Sequence, residues 1–140
     1  VMTVTTRSSK GSPLTHTEVD TNFTDLRDSC GYIATGQGGT VTQATSKSTA
    51  VTLSKKCGQI TMNAAALAAD TTVSFTLTNT TVAVTDVIVL NHVSGGTAGS
   101  YLLNAQPAAG SASINVRNIT SGSLSQAIVI GFAVVKATTS

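Results

Sequence analysis

Few residues of this chain have the types and spacing that catalysis requires. The 140 residues include two histidines, His16 and His92, and six acidic residues, four of which precede Ser29. A catalytic base needs a nucleophile or an acid within hydrogen-bond reach, and no nucleophile elbow surrounds any of the many serines. Acidic residues crowded into one segment do not form the opposed carboxylate pair of a glycosidase. We therefore expect no catalytic residues, and a small esterase or polysaccharide depolymerase is the least favoured alternative.

Two further patterns resemble ligand-binding motifs without completing one. The segment Gly95-Gly-Thr-Ala-Gly99 is as glycine-rich as a phosphate loop but lacks the Lys-Ser/Thr ending and the helix that follows, so it predicts a hairpin loop. Cys30 and Cys57 fit no metal spacing, and two buried thiols are favoured over a disulfide. We expect neither a metal nor a cofactor.

Three Asn-x-Thr glycosylation sequons, which a Ser/Thr-rich chain makes by chance, begin at Asn22, Asn79 and Asn118.

The scarcity of charge excludes some classes of protein. Charged residues make up 10% of the chain, against about 25% in soluble domains, and the net charge is +2 without a basic stripe. Nucleic-acid binding is therefore not expected. No apolar run could span a bilayer, and the first residues lack a signal-peptide stretch, so neither membrane insertion nor ordinary secretion is expected. A surface this poor in charge indicates an assembly that covers it, or masking by Ser and Thr hydroxyls.

One segment predicts a short helix after a Thr/Ser-rich arm. Residues 1–10 have little reason to fold alone. Pro13 ends any earlier regular structure, Thr15 is a good N-cap, and Glu18 follows at the capping-box spacing. Gly31 is a plausible stop.

This helix carries a narrow apolar stripe. Val19, Phe23 and Leu26 recur at i, i+4 and i+7, and Leu14 stands before the cap at the hydrophobic-staple position. A helix of about a dozen residues is marginal alone in water. These four residues, the docking stripe, therefore need a surface, which could belong to the chain's own domain, a sister subunit or another protein.

The remainder of the chain predicts an all-β domain. Thr, Val and Ile are frequent and alternate with polar residues, and Gly/Pro/Ser turns separate the runs. We expect a jelly-roll-like sandwich or small barrel of about eight strands over 40–140, an arm and helix over 1–35, and a Gly-rich hinge over 36–39. The strand over 86–93 is expected to be central because it is strongly apolar, a helical turn is expected over 63–69, and a bulge at Gly131. The predicted strands are 40–46, 49–53, 57–62, 72–78, 86–93, 100–105, 111–119 and 126–136.

The N-terminal segment resembles a recurrent element of tailed-bacteriophage structural proteins. Gly11-Ser-Pro-Leu-Thr15 followed by Glu18-Val-Asp20 and Asn22-Phe23 has the order found ahead of fibre, spike and head-decoration domains. The segments beginning at Val41 and Cys57, and the closing apolar run, resemble domains of phage virion proteins. These resemblances imply a virion component, usually trimeric, without deciding between head and tail.

The absence of repetitive shaft segments favours the head. We expect a capsid decoration (cement) or head-fibre protein that binds the major capsid protein as a homotrimer on the capsid surface. The alternative is a short tail-fibre or receptor-binding module, with tail or fibre proteins as partners and host glycans at the loops over 95–99 and 105–110. Neither alternative involves nucleic acid or a membrane.

Overall fold

The computed structural model describes residues 5–30, 36 and 38–137, with the backbone alone for 27–30. The chain divides into two compact units, Val1–Gln37 and Gly38–Ser140. The predicted helix stop at Gly31 and the hinge residue Gln37 lie outside the described residues, as does the side chain of Cys30.

The first unit contains two helices, α1 (Arg7–Lys10) and α2 (His16–Cys30). The predicted cap of α2 is confirmed, because the Thr15 hydroxyl accepts the Glu18 N–H at 3.3 Å and the Glu18 carboxylate accepts the Thr15 N–H at 2.7 Å. The described part of the arm, residues 5–10, contains regular structure that was not predicted. Thr6 caps α1 with its own capping box, and Gly11 ends it in the left-handed region at φ 70°.

The second unit is an all-β sandwich, as predicted. In the described part of the chain, eight strands form two four-stranded sheets, sheet A in the order β1-β3-β8-β5 and sheet B in the order β2-β4-β7-β6. The pairs β1/β3 and β2/β4 are parallel and the other neighbours are antiparallel. The strands are β1 (Thr40–Thr42), β2 (Val51–Thr52), β3 (Cys57–Thr61), β4 (Thr72–Thr78), β5 (Val87–Ser94), β6 (Tyr101–Ala108), β7 (Ser111–Asn118) and β8 (Val129–Val135).

The core lies between the inner faces of the two sheets. Strict alternation places every second residue of β4, β7 and β8 inward, where the aliphatic and aromatic side chains join one buried cluster. Ile114 and Val116 of β7 are fully buried with Ile60 and Ile130 of sheet A. Burial of these side chains stabilises the sandwich by roughly 1.5–3 kcal/mol each.

The expected central position of the strand over 86–93 is wrong. β5 is an edge strand of sheet A. Its apolar residues occupy both faces, but only the inward Ile88 and Leu90 pack on the core, whereas the outward Val87 and Val89 are exposed. A strand that is apolar on both faces can therefore lie at the edge of a sheet, with one face on the core and the other exposed.

Three local predictions also differ from the structure. The segment 63–69 forms no helical turn, because Leu67 is buried and makes a β-bridge with Leu124. Gly131 pairs in regular register, and the irregularity lies opposite it in β5, between His92 and Ser94. The first two strands are much shorter than the predicted 40–46 and 49–53.

The expected loop over 105–110 is largely strand. β6 continues through Pro107, which pairs with Ala112, and the turn is confined to Ala109 and Gly110, where Gly110 has φ 72°. A proline without an N–H is tolerated because β6 is an edge strand.

Candidate functional site

The docking stripe is largely exposed in the N-terminal unit. Phe23 is 67% and Leu26 51% exposed, while Leu14 and Val19 are half-buried. A large aromatic side chain exposed on a short helix loses the burial that normally stabilises such a helix. The accessible part of the stripe on α2 is therefore Phe23 and Leu26, whereas Leu14 precedes the helix.

Polar side chains of α2 are engaged by the chain's own arm. The Asn22 amide accepts the Thr5 N–H and donates to the Thr5 carbonyl, both at 2.9 Å. The Glu18 carboxylate forms an ion pair with Lys10 in addition to the Thr15 cap. The hydrogen bond from Lys10, followed by those from Thr15, lowers the pKa of Glu18 to about 2. Two motif residues, Glu18 and Asn22, thus hold the arm on the helix, while Phe23 and Leu26 stay exposed.

The outer face of sheet A is apolar and uncharged. The outward side chains of β5 include Val87, Val89 and Val93, which are exposed, and Val135 of β8 lies beside Val87. No residue of the four strands of sheet A is Asp, Glu, Lys or Arg. Clustered exposed aliphatic side chains of this kind make the face a candidate interaction surface.

A shallow groove of about 380 Å³ crosses this face. The floor of the groove is at Gly131. Val93 packs against this glycine so closely that a Cβ at position 131 would lie 2.8 Å from Val93 Cγ2. Gln59 and Asn91 pair with Gly131 from opposite sides and flank the groove with amide groups. The groove thus has mostly apolar walls and two amide groups beside its floor.

The outer face of sheet B differs. There the Ser74 hydroxyl donates to Asn115 Oδ1 at 2.5 Å, and Asn115 Nδ2 donates to Asn104 Oδ1 at 2.6 Å. Other outward positions of β4 and β7 are Thr, Ser and one arginine, Arg117, which pairs with Asp70 at 2.7 Å. Side chains that satisfy one another across the strands suit contact with water.

The two histidines occupy different settings. His16 is exposed at the start of α2. His92 is half-buried near the end of β5, where Nε2 lies 2.6 Å from the Gly95 carbonyl and the ring packs edge-on against Tyr101 at 5.7 Å. These contacts hold the ring against backbone and an aromatic side chain, and neither supplies a nucleophile or a carboxylate to it.

The glycine loop over 95–99 is not a hairpin, because it connects edge strands of different sheets. Gln126 fastens it by accepting the Thr97 N–H at 3.1 Å and the Tyr101 hydroxyl at 2.9 Å. A Cβ on Gly95 would lie 2.4 Å from the Ala127 carbonyl oxygen, so the backbone approaches too closely for another residue. The loop is a packed junction between the sheets.

Two of the sequons are structural turns. Asn79 and Asn118 are fully buried. In each case Oδ1 accepts both the N–H and the hydroxyl of the threonine two residues later, at 2.7–3.0 Å. The Asn118 amide nitrogen also donates to the carbonyls of Leu67, Ala68 and Gly122. The Asn-x-Thr pattern therefore serves the fold at these positions, since an Asn side chain can mimic a backbone turn.

A buried lysine was missed by the sequence reasoning. Lys47 is only 3% exposed, and its ammonium donates to the carbonyls of Asn63 and Gln126, both at 2.6 Å. Burial lowers the pKa of Lys47. A single lysine in a Ser/Thr-rich loop carries no sequence signal of burial, because such residues are almost always exposed.

Within the described residues, no group of three or more His, Cys, Asp or Glu side chains is arranged to hold a metal ion. No helix among those residues has the length and apolar character needed to cross a membrane. No protein-family model, curated protein or solved structure matches this chain.

Proposed function

We propose that this protein is a structural component of a tailed-bacteriophage virion that decorates and stabilises the capsid. α2 docks on the major capsid protein, and the sandwich associates as a homotrimer on the capsid surface. The observation that carries the proposal is the exposed docking stripe on a helix whose motif residues Glu18 and Asn22 are occupied by the arm.

The docking role follows from the distribution of contacts on α2. The ion pair of Glu18 and the two hydrogen bonds of Asn22 give the arm and helix a defined shape before binding. A preformed helix loses less conformational entropy on binding than a disordered peptide does. Phe23 and Leu26 then supply apolar area to a groove on the partner, in the manner of helix-in-groove recognition.

The form of the sandwich unit and of its loops favours a location on the head over one on the tail. The segment 11–26, which resembles the phage element, is followed by a sandwich unit, Gly38–Ser140. The described residues between the segment and that unit form no fibrous shaft. Of the two loops that a receptor-binding module would offer to glycans, the one over 105–110 is mostly strand, and the one over 95–99 is fastened to Gln126. A compact unit with few presented loops suits a protein that reinforces a shell.

The proposal is tested by deleting residues 1–37 and measuring co-sedimentation with capsids assembled from the major capsid protein of the same phage. We expect the shortened chain to keep its β-type circular dichroism and to lose capsid binding. Binding equal to that of the full chain would refute the docking role of α2, and binding to purified tails instead of capsids would refute the location.

A further inference from the structure

We infer that the N-terminal arm, residues 5–10, is exchanged between neighbouring copies, so that the arm of one copy binds α2 of the next. The inference names a contact that links the copies of the proposed homotrimer, and to that extent it rests on the proposed function. The surface is the polar face of α2 that carries Glu18 and Asn22, and its occupant is the arm of a second copy.

The contacts of the arm show what this polar face recognises. The Asn22 side-chain amide pairs with both backbone groups of Thr5, at 2.9 Å each, and the Glu18 carboxylate forms an ion pair with Lys10. The Lys10 and Glu18 side chains are only 25% and 28% exposed, so the pair is partly sheltered from water. One amide that binds backbone and one carboxylate that binds an ammonium therefore form a site for this arm, from whichever copy the arm comes.

The arm is a separable element. Thr6 and Ser9 form the capping box of α1, and the Gly11 N–H closes its other end on the Arg7 carbonyl. None of the four residues of α1, all of which the structure describes, is buried. The arm therefore carries its own caps, and its departure from α2 breaks polar contacts without opening an apolar core.

The linker between the arm and α2 has the composition of a hinge. Gly11 has φ 70°, and glycine moves from there to extended values at no steric cost. Pro13 favours an extended conformation at Ser12. The five residues from Gly11 to Thr15 span at most about 18 Å when extended. Exchange therefore requires the α2 helices of neighbouring copies to lie close together.

Exchange changes the origin of the arm and leaves its contacts the same. The bonds of Asn22 and Glu18 form equally with the chain's own arm and with a neighbour's, which is why exchange of identical elements is a low-cost route to oligomers. Copies held together on one shell present their arms at a high effective concentration. When each copy gives one arm and accepts one, the contact is heterologous and closes as a ring of three, in agreement with a homotrimer.

The test is complementation between Lys10→Glu and Glu18→Lys in the full chain. Each variant alone places like charges on the arm and on α2, and we expect it to need at least about tenfold higher concentration than wild type to associate in sedimentation velocity. In an equimolar mixture each arm meets a helix of opposite charge on the other variant. Mixed trimers should then form at lower concentration than trimers of either variant, and native mass spectrometry with one variant isotopically labelled detects them. The double variant Lys10→Glu/Glu18→Lys is the matched control and should associate like wild type.

A second pair of variants covers weakening of α2, because Glu18→Lys also removes the carboxylate that accepts the Thr15 N–H. Lys10→Ala and Asn22→Ala keep that cap, and alanine favours the helix. Mixing them brings the intact arm of the Asn22→Ala chain onto the intact helix of the Lys10→Ala chain, so mixed trimers should again form. Two mixtures that show only the separate, weakened species of each variant would overturn the inference, as would a wild type that is strictly monomeric at micromolar concentration.

Capsid co-sedimentation of the same samples separates arm exchange from the proposed function. Mixed trimers that form but do not bind capsids would support arm exchange and refute the capsid role. Capsid binding by variants that fail to complement each other would overturn arm exchange and leave the capsid role intact.

Discussion

Replacing Phe23 with alanine distinguishes a helix that docks on a partner from one that packs on its own chain. Because Phe23 is 67% exposed, its removal should change the melting temperature of the free protein little. Alanine is also the better helix former, which offsets part of any loss.

The cost should appear on docking. A phenylalanine buries about 150–250 Å², and two-thirds of that leaves roughly 100–170 Å² for the partner to cover. At about 25 cal/mol per Å², this amounts to about 2.5–4 kcal/mol. Capsid affinity should therefore fall on the order of 100-fold.

The assay is capsid co-sedimentation over a range of chain concentrations, with melting followed by circular dichroism. Asp25→Ala is the matched control, since it places the same residue in the same helix off the docking stripe, and we expect a change of less than about threefold. Unchanged capsid affinity in Phe23→Ala would refute the account of α2. A fall in melting temperature of more than about 8 °C would instead show that Phe23 packs within its own chain.

Three further predictions concern stability and pH. Asn118→Ala should lower the melting temperature by roughly 12 °C or more, because several buried hydrogen bonds are lost and carbonyl groups are left unpaired. Burial lowers the pKa of Lys47 in the folded state, so the unfolded chain binds more protons. The free energy of unfolding should therefore rise as the pH increases towards the ordinary pKa of 10.5. Lys47→Met should remove that rise in urea titrations. The pKa of Glu18 is about 2 in the folded state, so its cap and ion pair stabilise α2 fully at pH values above the ordinary pKa of 4.5. That stabilisation is lost as the pH falls towards 2. Glu18→Gln should make the helical circular dichroism independent of pH over this range.

Each of these predictions has a contrary outcome. Asn104→Ala, on the outer face of sheet B, is the control for Asn118→Ala, and equal destabilisation by the two would contradict the structural role of the buried turn. A Lys47→Met chain with the alkaline profile of the wild type would show that other groups set that profile. Helical signal that falls with acid equally in Glu18→Gln and in the wild type would show that the Lys10 contact does not hold the arm.

Much of the sandwich was predictable because alternation is a strong signal. Thr72–Thr78 and Ser111–Asn118 match the predicted 72–78 and 111–119 almost residue for residue, since polar and apolar side chains alternate there without interruption. The cap of α2 was predictable for a similar reason, because Thr15 and Glu18 interact within one turn.

Sheet neighbours and long-range polar contacts were not predictable. The position of β5 at an edge depends on which strands pair across the whole sandwich, and a continuous apolar run is compatible with an edge or a centre. Lys47 reaches Gln126 from 79 residues away, and Asn22 reaches back to Thr5. The docking stripe could be found by spacing, but its exposure and the arm's occupation of Glu18 required the structure.

The central claim, that this chain decorates a phage capsid, is tested most directly by a cryo-electron microscopy map of intact particles that contain it. The account predicts density for the sandwich on the head shell as a homotrimer, with Phe23 and Leu26 of α2 against the major capsid protein. Density for this chain confined to the tail, or α2 exposed to solvent on a decorated shell, would contradict it.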